Sequence, residues 1–386
     1  MPSPRDPEGP YPRFSEEEHD RRRREVLAAM EVAEVEQLVI YGANRFGSAV
    51  QWLTGWPVTR EAAALVSGDP PDVLFVQFHN HVPNARELAP RCEVHWGGVS
   101  TIHTVVEELE RRGARGRIAV IGILPATHHR ALSSRFDLVD LNEAYTRIRL
   151  IKSPEEIQWV RAGAELTDRA VHALRKGARP GLTEHQLADM VEHAYVAAGA
   201  TTLIHYFGLT PMAAPERCVP AQHTSNRTLQ AGDVLLTEIS ASFWDYPGQI
   251  LRTFTIAAGP TALFRRLHEV AQGAFDAIVG CLRHGTHASE VVEAASVIEE
   301  EGFTTFDDLV HGFVGGYFPP VLGSRSRSLW PVPDFEFQEG MTVVVQPNVV
   351  TTDHRAGVQT GELVMITQSG VERLHRAEPG LHRIGD

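Results

Sequence analysis

The sequence predicts two domains, an α/β N-terminal domain followed by an α+β C-terminal domain. Three observations carry this. Up to about Tyr145, short apolar runs alternate with helical patterns, the order of a layered α/β domain. Ser153-Pro154 then supplies an N-cap and a first helical position for a new long helix. After it the order becomes helix pair, hairpin, helix pair, strands. A chain of 386 residues is long enough for two domains, and 43% hydrophobic residues are enough for an ordinary core.

Residues 1–14, MPSPRDPEGPYPRF, are proline-rich and polar and are read as a flexible arm, with no apolar core of a signal peptide. The N-terminal domain is expected over 15–152. Ser15 with Glu18 is a capping-box pattern that opens a helix to about Val35. The run Arg21 to Arg24 on it reads as a solvated face balancing Glu16 to Glu18. Strand-like runs follow from Leu38, Ala62, Val73 and Ile118, and a helical pattern spans Ser100 to Arg112. His79-Asn80-His81 ends one strand but has no carboxylate nearby in sequence to complete a metal set. His128-His129 reads as surface histidine, and Asn44-Arg45-Phe46-Gly47 reads as a turn.

The C-terminal domain is expected over 153–386. Helices are predicted over Pro154 to Leu174, Thr183 to Ala198, Phe264 to Leu282 and Ala288 to Glu301, with Glu184 and Glu192 as exposed acids. Between them lies the hairpin LQAGDVLLTEISASFWDYPGQILRTF. Val234 to Leu236 follow the Gly232-Asp233 turn, Pro247-Gly248 makes a second break, and Ile250 to Ile256 resumes as a strand. This apolar setting holds Glu238, Gln249 and Arg252. Burying such groups unpaired costs a few kcal/mol, so they form either a satisfied network or a site. Further polar candidates are His205, His223 in the loop before the hairpin, His311 followed by Gly312, Gln346 at the end of MTVVVQP, and Glu362.

The formal charge of −13 speaks against a nucleic-acid partner. Cys92, Cys218 and Cys281 are widely spaced and odd in number, which suits a reducing cytoplasm and gives no zinc or disulfide pattern. No apolar run approaches a membrane span.

The motif GD-(apolar)-acid followed by Tyr246 and Arg252-Thr253-Phe254 resembles the pita-bread catalytic domain of the creatinase, aminopeptidase P and prolidase (M24) family. Arg149-Leu-Ile-Lys-Ser-Pro-Glu-Glu-Ile157 is similar to the element that joins its two domains. In the metal-dependent members, as the resemblance implies, four carboxylates and a histidine bind two metal ions. The matching positions here hold Glu238, Gln249 eleven residues on, His311, Gln346 and Gly361. Two divalent ions need anionic oxygens to offset their charge, and neutral amides bind hard cations far less well. The expectation is therefore no metal and no cofactor. A single weak ion on Glu238, His311 and Glu362 stays open, although Glu362 falls one residue late and needs a bulge to reach the cleft.

The resemblance thus implies a divergent, creatinase-like hydrolase. It would cleave a C–N bond of a small polar non-peptide molecule, with Glu238 and His311 catalytic. His223, Gln249, Arg252, Gln346, Tyr246, His205 and Glu362 would bind substrate, although the family arginine matching Arg252 also supports ligand carboxylates. Two alternatives stay open: a metal-dependent Xaa-Pro peptidase with an altered ligand set, and an inactive pita-bread binding module. A cytoplasmic homodimer with a small-molecule substrate, and with neither nucleic acid nor membrane as partner, is expected.

Overall fold

A computed structural model describes residues 9–43, 48–69, 71–327 and 331–385. The turn read at 44–47 and most of the N-terminal arm lie outside the described residues. The chain divides into two compact units, with the break between Arg149 and Leu150.

The first unit contains, in order, α1 (Glu16–Val32), β1 (Gln37–Gly42), α2 (Ala49–Thr54), β2 (Ala62–Ser67), β3 (Asp72–Val76), α3 (Val82–Leu88), β4 (Cys92–Trp96), α4 (Thr101–Arg111), β5 (Arg117–Ile121), α5 (Ala126–Ser133), β6 (Asp137–Asp140) and α6 (Asn142–Leu150). Its sheet has the order β4-β3-β2-β1-β5-β6. Val39, Leu65 and Phe75 on the sheet pack with Val105 and Leu109 of α4. Ser15 caps α1 as its spacing predicts. The basic run on α1 is not a solvated face, however. Arg22 is buried, bonded to Glu18 and to the Trp52 carbonyl, with its guanidinium 3.8 Å from the Phe14 ring centre. Arg23 pairs with Asp72.

The second unit opens with α7 (Pro154–Gly177), α8 (Glu184–Val196), β7 (Thr201–Pro211), β8 (Asp233–Phe243), β9 (Tyr246–Pro247) and β10 (Ile250–Ile256). It continues with α9 (Ala262–Cys281), α10 (Ala288–Ala294), α11 (Val297–Glu300), β11 (Thr304–Thr305), β12 (Val310–Phe313), β13 (Tyr317–Leu322), β14 (Thr342–Val345), β15 (Val349–Val350), β16 (Gly361–Ile366), β17 (Val371–Arg373) and β18 (His382–Ile384). The helix expected from Ala288 to Glu301 is broken into α10 and α11 by a turn in which Ser296 N–H bonds to Glu293 O. The main sheet runs β13-β12-β14-β16-β10-β8-β7, and these neighbours pair antiparallel.

Register decides which side chains share a face, because successive strand residues point to opposite sides. His311 stands opposite Val344, Val344 opposite Leu363, Gly361 opposite Leu251, and Leu251 opposite Glu238. These residues line one face. The other face carries Val310, Val345, Glu362, Ile250 and Ile239. There Val310, Val345 and Val364 join the core with Phe264, Leu267 and Phe275 of α9.

The helix α7 locks the hairpin in place. Its N-terminus is a capping box of Ser153 and Glu156. Thr167 Oγ1 accepts from Ala241 N at 3.0 Å. A Cβ on Gly248 would lie 2.4 Å from Ala164 Cα, so only glycine allows this close approach of turn and helix.

Candidate active site

Every residue of β8 is buried except Glu238, which keeps partial exposure. Hydrophobic burial thus fixes the strand, and its one opening lies at the carboxylate. Gln249, just before β10, donates from Nε2 to Glu238 Oε1 at 2.8 Å. Burial, aided by the nearby Asp307 and Asp308 carboxylates, raises the Glu238 carboxyl pKa to about 8. At neutral pH this side chain therefore holds its proton.

His311 on β12 lies on the same sheet face and is fully buried. Its Nδ1 is 3.0 Å from the Gly312 carbonyl, so Nδ1 carries the proton and Nε2 keeps the lone pair. Nε2 is buried and has no hydrogen-bond partner. Burial lowers the imidazole pKa, with Asp308, the Gly312 carbonyl and Gln346 acting in the opposite direction. The ring stacks on Tyr317 at 4.0 Å between centres. The Tyr317 hydroxyl donates to Asp308 Oδ1 at 2.9 Å, and Gln346 Nε2 lies 3.4 Å from Asp308 Oδ2. Gln249 Oε1 and Gln346 Oε1 are likewise buried without partners. Buried polar atoms rarely stay unpaired without a reason. Here three of them belong to one constellation.

Asp307 and Asp308 were not singled out by the sequence. The nearest signal is two consecutive acids three and four residues before His311. Asp307 accepts from Asn348 Nδ2 at 2.9 Å, and burial raises its pKa. Tyr206 was also missed. It stands directly opposite Glu238 on β7, and burial and the Glu238 charge raise its pKa.

Five expected substrate contacts need correction or qualification. Arg252 and Glu362 point to the opposite face from Glu238. Arg252 Nη2 donates to Glu362 Oε2 at 2.7 Å, and Arg373 Nε donates to Glu362 Oε1 at 2.6 Å. Both members of the Arg252–Glu362 pair are buried. Arg252 also holds the Gly361 and Ala377 carbonyls. The pairing of β16 with β10 and β14 runs through Glu362 without a bulge. Tyr246 is buried and donates its hydroxyl to Glu156 Oε1 at 2.7 Å, tying the turn to the α7 cap. His205 stands opposite Ile239, on the face away from Glu238, with Nδ1 3.3 Å from Glu192 Oε1. His223 is exposed on the β7–β8 loop, and no hydrogen bond joins it to the cluster. That loop is anchored by Glu184, which is buried rather than exposed and accepts from Ser225 N at 2.7 Å.

Among the described residues no group of three or more His, Cys, Asp and Glu side chains is arranged to hold a metal ion. Gly361 lies on the Glu238 face, but a Cβ there would sit 2.3 Å from the Val345 carbonyl oxygen and 2.8 Å from Gln346 Cα. Backbone therefore closes this position to any residue larger than glycine. No described helix is long and apolar enough to cross a membrane.

Residues 158–368 match the metallopeptidase family M24, over half of the chain. The Xaa-Pro dipeptidase of Pyrococcus furiosus is 23% identical over 285 residues, covering 72% of this chain and 77% of that protein. The ectoine hydrolase of Halomonas elongata is 22% identical over 243 residues, covering 61% and 60%. Among solved structures, an Xaa-Pro dipeptidase from Bacillus anthracis superposes with a TM-score of 0.80 at 18% identity, covering 95% of this chain and 100% of that one. The prolidase from Pyrococcus horikoshii gives 0.77 at 20% identity, covering 94% and 99%. The second unit accordingly has the pita-bread fold, preceded by an α/β domain.

Proposed function

The chain belongs to metallopeptidase family M24, and on that premise we propose that it hydrolyses a C–N bond of a small polar non-peptide molecule without a metal ion. The observation that carries this reading is geometric: Glu238, held by Gln249, and His311, whose buried Nε2 has no partner, lie on one sheet face, and their surroundings shift their proton affinities in opposite directions. Glu238 is raised to about 8 and His311 is lowered below its ordinary value. One group holds a proton at neutral pH and the other has a vacant lone pair.

The steps follow from these atoms. His311 Nε2 takes a proton from water as the oxygen attacks the substrate carbon. Glu238 gives its proton to the departing nitrogen. The imidazolium and carboxylate that result are returned to their starting states by solvent. General acid and base groups each contribute about 10²–10⁴-fold. Gln249 Nε2 is occupied by Glu238, so its free Oε1, with Gln346 Oε1, accepts substrate N–H groups rather than donating to a carbonyl.

Family membership also supports a second reading, a metal-dependent Xaa-Pro peptidase, because several relatives carry that name. The ligand substitutions and the closed Gly361 position weigh against it. A relative named for ectoine, and not for a peptide, favours a small molecule.

The test is turnover across an amide, amidine and guanidino panel. Glu238→Gln and His311→Asn should each lower turnover by at least about a hundredfold while the fold is retained. Full activity in both variants would place the chemistry elsewhere.

A further inference from the structure

The sheet of the first unit changes its direction of growth at β1. From β1 the chain adds β2, β3 and β4 on one side, then returns to add β5 and β6 on the other. β1 and β5 are parallel neighbours, so their carboxyl ends open at the same edge. Open α/β sheets hold ligands at such a reversal point.

Four side chains of the first unit meet there. Tyr41 lies at the end of β1, Glu61 just before β2, and Thr127 and His128 in the first turn of α5, which follows β5. His128 Nε2 lies 2.8 Å from Glu61 Oε2, and the Tyr41 hydroxyl donates to the same oxygen at 2.9 Å. Thr127 Oγ1 lies 3.1 Å from His128 Nδ1. The Tyr41 ring meets the imidazole edge-on, with 5.2 Å between centres. His128 is therefore not the free surface histidine expected from sequence. Its side chain keeps 16% exposure and is held between a carboxylate and a hydroxyl.

The protons in this group can be assigned. Burial alone would raise the Glu61 carboxyl pKa, but its hydrogen bonds bring it below its ordinary value, so it is ionised at neutral pH. An ionised carboxylate only accepts, so His128 Nε2 carries the ring proton. Nδ1 then keeps the lone pair, and the Thr127 hydroxyl is its donor. A hydroxyl on an imidazole that is oriented by a carboxylate is the arrangement of an activated nucleophile. Thr127 is exposed, so an ester reaches it from solvent. It is also the second residue of α5, and Pro125 gives that helix end no side-chain cap. The N–H groups of Ala126 and Thr127 have no intrahelical partner, and they are the donors available to an oxyanion formed at Thr127.

We propose that Thr127, His128 and Glu61 form a second site, which hydrolyses small carboxylic esters, with Thr127 as nucleophile, His128 as base and Glu61 as positioning residue. Thr127 Oγ1 attacks the ester carbonyl carbon as its proton passes to His128 Nδ1. The bond to the alcohol oxygen breaks, and the alcohol leaves with that proton. Water then attacks the acyl-threonine and gives a proton to His128. Thr127 Oγ1 departs with that proton, and the carboxylic acid is released.

The experiment is hydrolysis of p-nitrophenyl acetate by the full chain carrying Glu238→Gln and His311→Asn, so that the second-unit cluster contributes nothing to the rate. Nitrophenolate should appear well above the buffer rate, and acid-quenched protein should carry an acetyl group on Thr127 by peptide mass spectrometry. Thr127→Val should lower turnover at least about a hundredfold, the scale of such assistance, while Thr127→Ser keeps it. Glu61→Gln, which accepts less strongly and leaves the imidazole tautomer unfixed, should lower kcat with KM little changed. Circular dichroism checks the fold of each variant. A rate no higher than buffer, turnover that survives Thr127→Val, or acetyl found on another residue and not on Thr127 would overturn the proposal. The outcome is independent of the functional reading above, because neither Glu238 nor His311 is present in the protein tested.

Discussion

Gln249 Nε2 donates to Glu238 Oε1 across 2.8 Å, from a position just before β10 to the one half-exposed residue of β8. An amide there gives the acid a fixed hydrogen-bond donor and adds no charge. Gln249→Glu would replace that donor with a second acid. Near pH 5 the pair can share a proton, but near pH 8 both groups tend to ionise and repel. The variant should lose more melting temperature at pH 8 than at pH 5, both measured against the parent. Equal losses at the two pH values would argue that the hydrogen bond, and not charge, sets the state of Glu238.

The raised proton affinity of Glu238 also makes a stability prediction. Its pKa in the fold is about 8 against an ordinary 4.5. The folded protein therefore binds more protons than the unfolded chain between these values. The contribution is fully present below about pH 4.5 and is lost as pH rises through about 8. Its size is on the order of a few kcal/mol. Glu238→Gln removes the titration, so its melting temperature should gain on the parent between pH 5 and pH 8. For the parent, turnover should fall as pH rises through about 8, where the acid loses its proton. It should fall again on the acid side, below the ordinary histidine value, where His311 takes one up. A flat rate profile across pH 7–9 would contradict the assignment of Glu238 as acid.

Arg252, Glu362 and Arg373 form a buried charge set on the opposite sheet face. Breaking such a set leaves an uncompensated charge and costs about 3–5 kcal/mol. Glu362→Ala should lower the urea midpoint by a corresponding amount, and any protein that remains folded should keep the kcat of the parent. A drop in kcat with stability intact would return Glu362 to the catalytic cleft.

The parts of the fold that were legible in the sequence are those fixed by local chemistry. Gly232-Asp233 and Pro247-Gly248 bound the hairpin because turns need those residues, and Ser153 with Glu156 marks the start of α7. The faces of the sheet were harder to read. Arg252 meets Glu362 from 110 positions away, and only the β10–β16 register brings them together. The sequence offers His205 as a candidate, but a bulge between Thr202 and Ile204 on β7 sets a register that presents Tyr206 to Glu238. Asp307 and Asp308 lie before β12 and gain their meaning from burial and from Asn348, Tyr317 and Gln346, none of which is local to them. Glu184 resembles any exposed helical acid until the β7–β8 loop closes over it.

The central claim is that Glu238 and His311 act without a metal ion. Turnover of the best substrate from the amide and amidine panel, measured before and after exhaustive chelation and with the metal content of each sample determined, tests it most directly. If no metal takes part, kcat is unchanged by chelation, added manganese, zinc or cobalt does not raise it, and Glu238→Gln abolishes it under both conditions. Loss of activity on chelation, restored by one of these ions bound near one or two per chain, would contradict it.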